Sequence, residues 1–122
     1  MKEMLAVALG AAAGGLLRWQ VGLWLNAARA PFPLGTLSVN LAGGLLIGML
    51  LVLLARPEQQ LWRLLLVTGF LGGMTTFSAF SGESLFLLQR GQWVLALMHS
   101  LLHVLGALAA AALGAWLARQ LL

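Results

Sequence analysis

The sequence predicts an all-α membrane protein with four transmembrane helices, the third broken near residues 72–76, and three observations predict it. Hydrophobic residues make up 61% of the 122 residues and charged residues only 8%, with a mean hydropathy of +0.98; soluble domains are about 25% charged. Polar residues gather in short clusters that divide the chain into four apolar stretches, each near the roughly 20 residues a membrane helix needs. Inside the third stretch lies Gly69-Phe70-Leu71-Gly72-Gly73-Met74-Thr75-Thr76-Phe77-Ser78-Ala79-Phe80, with chemistry that a plain anchor does not require. The four spans use nearly the whole chain, so residues 1–122 form one domain.

The first span, residues 4–25, follows Met1-Lys2-Glu3. It is too long for a signal-peptide core and lacks a polar cleavage region, so it is expected to be retained. Gly10 and Gly14 have the spacing that lets helices approach closely, and Arg18 is the one charge inside the span. Asn26-Ala27-Ala28-Arg29-Ala30-Pro31-Phe32-Pro33 is the first connection, rich in turn residues.

The second span, residues 35–55, carries Thr36 and Asn40 four apart, with Gly44 and Gly48 continuing the same face. The Asn40 amide offers donors as well as an acceptor, so it is able to donate to an anion, as is the Ser78 hydroxyl. The bland alternative for Asn40 is an interhelical hydrogen bond that locks packing. Arg56-Pro57-Glu58-Gln59-Gln60 closes this span.

The third span, residues 61–88, holds the Gly–Thr–Phe segment. Glycines free the backbone to leave the helix, and groups so released persist at membrane depth only where protein, water or an ion satisfies them. A broken helix lining an ion site follows. Phe77 and Phe80 are three apart on the resumed helix, and ring edges, being positive, suit a dehydrated anion. Glu83 shares a face with Phe80 and Thr76. An ionisable group there is a functional candidate by default, its bland alternative being a salt bridge to Arg18.

After Gln89-Arg90-Gly91-Gln92, the fourth span covers residues 93–117 with His99 and His103 four apart. That spacing suits two ligands on one metal, but no Asp, Glu or third His accompanies them on this span. Pathway lining or interhelical hydrogen bonding is the better reading. Gly106, Ala110 and Gly114 extend the small-residue pattern, and five tryptophans lie mostly near span ends, where the headgroup region suits them.

An even span count places Lys2, Arg56, Arg63 and Arg119 on one side against Arg29 and Arg90 on the other. So weak an asymmetry lets the chain insert both ways, and an inverted copy would then reproduce as a homodimer the inverted-repeat plan of many transporters. Four spans are too few to enclose an aqueous path, so assembly is part of any transport function. The basic residues lie scattered at span ends, a membrane pattern that gives no nucleic-acid surface. No nucleophile, base and orienting group occur together, so an enzyme is not expected. Cysteine is absent, which excludes disulfides and thiolate sites.

These residues resemble the Fluc/CrcB family of small four-helix fluoride channels over nearly the whole chain. Gly14-Gly15-Leu16-Leu17-Arg18-Trp19 is similar to its first-helix arginine motif, Gly35-Thr36-Leu37-Ser38-Val39-Asn40 to the start of its second helix, and the segment from Gly69 to Phe80 to its signature. The resemblance implies a dual-topology, antiparallel homodimer with two fluoride pathways that relieves fluoride toxicity by passive efflux. It implies that Phe77 and Phe80 line the path, that Asn40 coordinates the ion beside Ser78, and that Thr36 and Glu83 belong to a polar track; Thr76 and His99 are further pathway candidates. It further implies a structural sodium ion at the dimer interface on the backbone carbonyls of Gly72 and Thr75, with Arg18 near a vestibule. The fourth span departs from the pattern: His99 stands where a tyrosine is usual, His103 near a usual serine, and Ala109 for a hydroxyl residue.

Two other classes fit part of the sequence. A small multidrug-type proton-coupled exporter shares the size and helix count but is expected to hold a carboxylate in the first span, where this chain has Arg18. A noncatalytic subunit of a larger membrane complex explains the packing glycines and leaves the Gly–Thr–Phe segment without a purpose. A prokaryotic inner membrane is the simplest setting.

Overall fold

The computed structural model of the chain describes residues 1–26 and 30–122. Arg29, counted above in the charge balance, lies outside the described residues. Helix α1 spans Lys2–Leu25 and α2 spans Leu34–Leu53. The third membrane crossing, Pro57–Gln89, is a composite. A short 3-10 turn leads into α3 (Gln60–Arg63), a wide π-helical stretch covers Leu64–Leu71, and α4 (Gly72–Met74) ends at the break; α5 (Phe77–Gln89) follows it. The last element is α6, Trp93–Gln120. All four crossings are long and apolar enough to span a membrane, and they agree with the sequence boundaries to within a few residues.

Small residues decide which helices touch. The most extensive contact joins α2 to α6, and the next joins α1 to the π-helical stretch. A methyl group on Gly14 would collide with the Phe70 carbonyl, and one on Gly73 with the backbone of Ala11. Backbones that close exclude any side chain, and dispersion over the whole seam replaces the missing hydrophobic drive in lipid. On the other pair, Gly48 meets Ala111 and Gly114 meets Leu45 in the same manner. Asn26 Oδ1 accepts from the Gly35 N–H at 2.8 Å and so ties the end of α1 to the start of α2.

The break lies where expected, but its cause is different. Gly72 and Gly73 are helical, and the one positive φ among the described residues belongs to Gly91 in a connection. Thr75 (ψ 156°) and Thr76 (φ −153°, ψ 119°) are the residues that leave the helix. β-Branched threonines favour extended backbone; here the Thr75 hydroxyl adds a second bond to the Leu71 carbonyl, which keeps its helical bond from the Thr75 N–H, and the Thr76 hydroxyl replaces a lost helical acceptor. Thr75 Oγ1 donates to the Leu71 carbonyl at 2.8 Å, and Thr76 Oγ1 accepts from the Ala79 N–H at 3.1 Å as the N-cap of α5. Gly73 is therefore a packing residue like the other small ones.

Candidate functional site

Asn40 on α2 holds the extended residue of the break. Its Oδ1 accepts from the Thr76 N–H at 2.8 Å and its Nδ2 donates to the Thr76 carbonyl at 2.9 Å, much as a neighbouring strand would. The second Nδ2 hydrogen points to His103 Nδ1 at 3.0 Å. Both donors of the amide thus reach protein acceptors, and Asn40 does lock three elements together.

The redirected backbone leaves particular carbonyls free. Thr76 N–H, the usual i+4 donor to the Gly72 carbonyl, is given to Asn40, and Ala79 N–H, the usual donor to the Thr75 carbonyl, is given to the Thr76 hydroxyl. Gly72 is exposed, and only the Val67 carbonyl, 3.9 Å away, comes within 4 Å of the position of a side chain.

Beside the break, a cavity of about 400 Å³ opens between α2, the third crossing and α6, lined by Asn40, Thr75, Thr76, Phe77, Phe80 and His103 among others. Phe77 and Phe80 meet edge to face with centroids 5.3 Å apart. Phe77 is 75% exposed, whereas Phe80 is buried against both imidazoles, 4.6 Å from the His103 ring and 5.3 Å from that of His99. Ser78 is exposed and lies 3.2 Å from the Thr76 hydroxyl, oxygen to oxygen.

Glu83 gathers the remaining polar residues. One oxygen accepts from the Thr36 hydroxyl, the other lies 3.0 Å from His99 Nε2, and His99 Nδ1 lies 2.9 Å from Ser84 Oγ. Among the described residues the basic side chain within reach of Glu83 is His99, with which it forms an ion pair only when the imidazole is protonated; Arg18 is exposed on α1. A second cavity, about 490 Å³, touches the far side of Glu83 with Phe32, Gly82, Phe86 and Arg90. The site thus forms a sequence of cavity, Phe80 and the imidazoles, Glu83, and second cavity.

One premise of the sequence reading changes here. Glu83 does accompany the two histidines, coming from α5 rather than α6, and one ligand-type atom of each lies within 4.8 Å of the others. The hydrogen-bond pattern nevertheless disfavours a metal there. Both His99 ring nitrogens are engaged, Nε2 by Glu83 and Nδ1 by Ser84, and the Asn40 N–H occupies the His103 Nδ1 lone pair; metal ligation needs free lone pairs.

Sequence reasoning did not find Ser84, or Phe32, whose ring packs 5.1 Å from His99. Ser84 adjoins Glu83 and follows Phe80 by four, a helical-face signal that was available. Phe32 sits in a connection, where no periodicity marks it.

The family model described as CrcB-like protein, Camphor Resistance (CrcB), matches residues 5–115. The chain belongs to the CrcB family. A curated relative from Bordetella petrii, named fluoride-specific ion channel FluC, is 56% identical over 92% of this chain and 88% of its own length. Relatives with the same name from Aromatoleum aromaticum and Chromobacterium violaceum are 51% and 50% identical, over 93% and 88% of this chain and 88% and 86% of their own lengths. With four apolar crossings and bacterial relatives at this similarity, this CrcB-family chain is a multi-pass integral membrane protein of a prokaryotic membrane.

Proposed function

We propose that the protein is a fluoride-selective channel that lets the ion leave the cell passively and so relieves fluoride toxicity. The observation that carries this reading is the cavity wall, where the edge-to-face Phe77 and Phe80 rings share the lining with the polar side chains of Asn40, Thr75, Thr76 and His103 on otherwise apolar helices. Curated relatives at 50–56% identity bear the name fluoride-specific ion channel. Ring edges and neutral donors replace the water an anion loses, and the same edge geometry repels cations.

In this account fluoride enters the Phe77 cavity beside Ser78 and Thr76, passes Asn40 and Phe80, and leaves along the Thr36, Glu83 and His99 groups toward the second cavity. Accepting a bond from Asn40 requires one Nδ2 hydrogen to turn from Thr76 or His103 to the ion.

Two identical chains in antiparallel orientation form the channel. The cavity opens on the surface of the single chain with Phe77 exposed, and the weak charge asymmetry permits both insertions. The Gly72 and Thr75 carbonyls, freed by the Asn40 and Thr76 bonds, are hard oxygen donors fit for a small cation; they are the groups that would hold a sodium ion between the chains. Such an ion would supply fixed positive charge at the centre of the dimer. Arg18 is exposed on α1; at a vestibule it would add positive charge for the entering anion.

The cellular test is growth of a bacterium lacking its own fluoride exporter. Expression of this chain is expected to restore growth in fluoride medium, and expression without restoration would contradict the proposal.

A further inference from the structure

The second cavity carries opposite charges on one wall. Glu83, Phe86 and Arg90 fall at i, i+3 and i+7 on α5, and all three line it. Glu83 stands at the inner end, against Thr36 and His99, and Arg90 stands at the outer end as the C-cap of α5. A long side chain on a helix slants toward the helix N-terminus, so Arg90 leans back along the cavity toward Glu83. Its guanidinium carbon lies over the Phe86 ring, 5.0 Å from the centroid, a cation–π contact that holds the charge in place. The backbone beneath it is fixed as well. Gly91 N–H donates to the Leu88 carbonyl at 3.0 Å and Gln92 N–H to the Leu87 carbonyl at 2.9 Å, around a Gly91 φ of 71°; the paired bonds close the helix end and set where Arg90 leaves it.

Arg90 forms no ion pair among the described residues, so its charge is available to another anion. Without that charge the cavity would repel one, because Glu83 lies at the inner end and the last carbonyls of α5 turn the negative end of the helix dipole to the outer. We propose that Arg90, held over Phe86, receives fluoride on the outer side of Glu83 and so sets how readily the ion passes this mouth. This rests on the fluoride-channel reading. The guanidinium keeps its charge at every physiological pH, is more weakly hydrated than an ammonium and offers five N–H donors. Glu83 repels the ion outward while Arg90 attracts it, and the open mouth lets water complete the release. A charge at a low-dielectric constriction raises the local concentration of its counter-ion, an effect that salt screens.

The test exploits the absence of cysteine from the chain. Arg90→Cys provides a single thiol, and purified protein is modified before reconstitution with a cationic or an anionic methanethiosulfonate of matched size. Fluoride efflux from liposomes is then followed with gluconate salt at about 10 mM and at about 1 M, where the screening length is roughly 30 Å and 3 Å. At low salt the anionic adduct should be ~3- to 10-fold slower than the cationic one, the low end of what focused charge produces, and at high salt the two should agree within ~2-fold. Arg90→Lys against Arg90→Gln repeats the comparison without a reagent, with Lys the faster at low salt. A purely structural role for Arg90 predicts no dependence on the sign of the adduct. Adducts of equal rate at low salt, a difference that salt leaves unchanged, or Gln conducting like Lys would overturn the proposal. A parent protein that passes no fluoride would instead sink the channel reading itself.

Discussion

Asn40 pairs with Thr76 as one strand pairs with the next, accepting from its N–H at 2.8 Å and donating to its carbonyl at 2.9 Å. A single side chain thereby does for the broken helix what lipid cannot, because every backbone polar group at membrane depth needs a partner. Asn40→Leu keeps the approximate volume and removes both bonds. The loss of two buried partners should cost about 2–6 kcal/mol, measured as a lowered unfolding midpoint in detergent. An unchanged midpoint would mean that Thr76 finds other partners.

The glycines of the α1 seam give a sharper contrast. Gly14 faces the Phe70 carbonyl, while nothing lies within 4 Å of a side chain placed on Gly15. Gly14→Ala should destabilise the fold by about 1–3 kcal/mol, and Gly15→Ala should be neutral or slightly stabilising. Equal melting curves for the two would show that the helices do not pack as described.

Glu83 serves two donors, Thr36 and His99, with its two oxygens. Glu83→Gln keeps one acceptor, and Glu83→Leu keeps none. Fluoride efflux should therefore fall in the order parent, Gln, Leu, with the Leu variant reduced at least ~10-fold, the cost of stranding one charge-assisted bond. A Leu variant as fast as the parent would remove Glu83 from the path.

Dual insertion is open to a clean topological test because the chain has no cysteine. One cysteine added beyond Leu122 should be labelled by an impermeant reagent in about half of the molecules in intact cells, and in all of them after lysis. Labelling of all or none before lysis would rule out antiparallel assembly.

The sequence made the four crossings legible because hydropathy is a local property, and each connection is marked by Pro, Gly, Arg or Gln. The place of the break was also legible from Gly72 to Thr76, although its cause was not. Glycine is permissive in isolation, but Gly73 is held in a helix by its contact with Ala11, and the threonines use hydroxyl bonds that no propensity scale anticipates. The π-helical stretch from Leu64 to Leu71 left no mark, since Leu-Leu-Leu-Val serves an α-helix equally well. Glu83 and His99 were each visible, but their pairing joins two helices, and interhelical partners are not encoded in the spacing within either one.

The most direct test of the account is anion efflux from liposomes holding only the purified protein, with fluoride and chloride followed in parallel and Phe80→Ile as the comparison. The account predicts rapid fluoride loss, chloride retained, and a marked fall in the variant, because Phe80 closes the cavity against both imidazoles. Fluoride retained by correctly folded parent protein, or chloride lost as quickly, would contradict it.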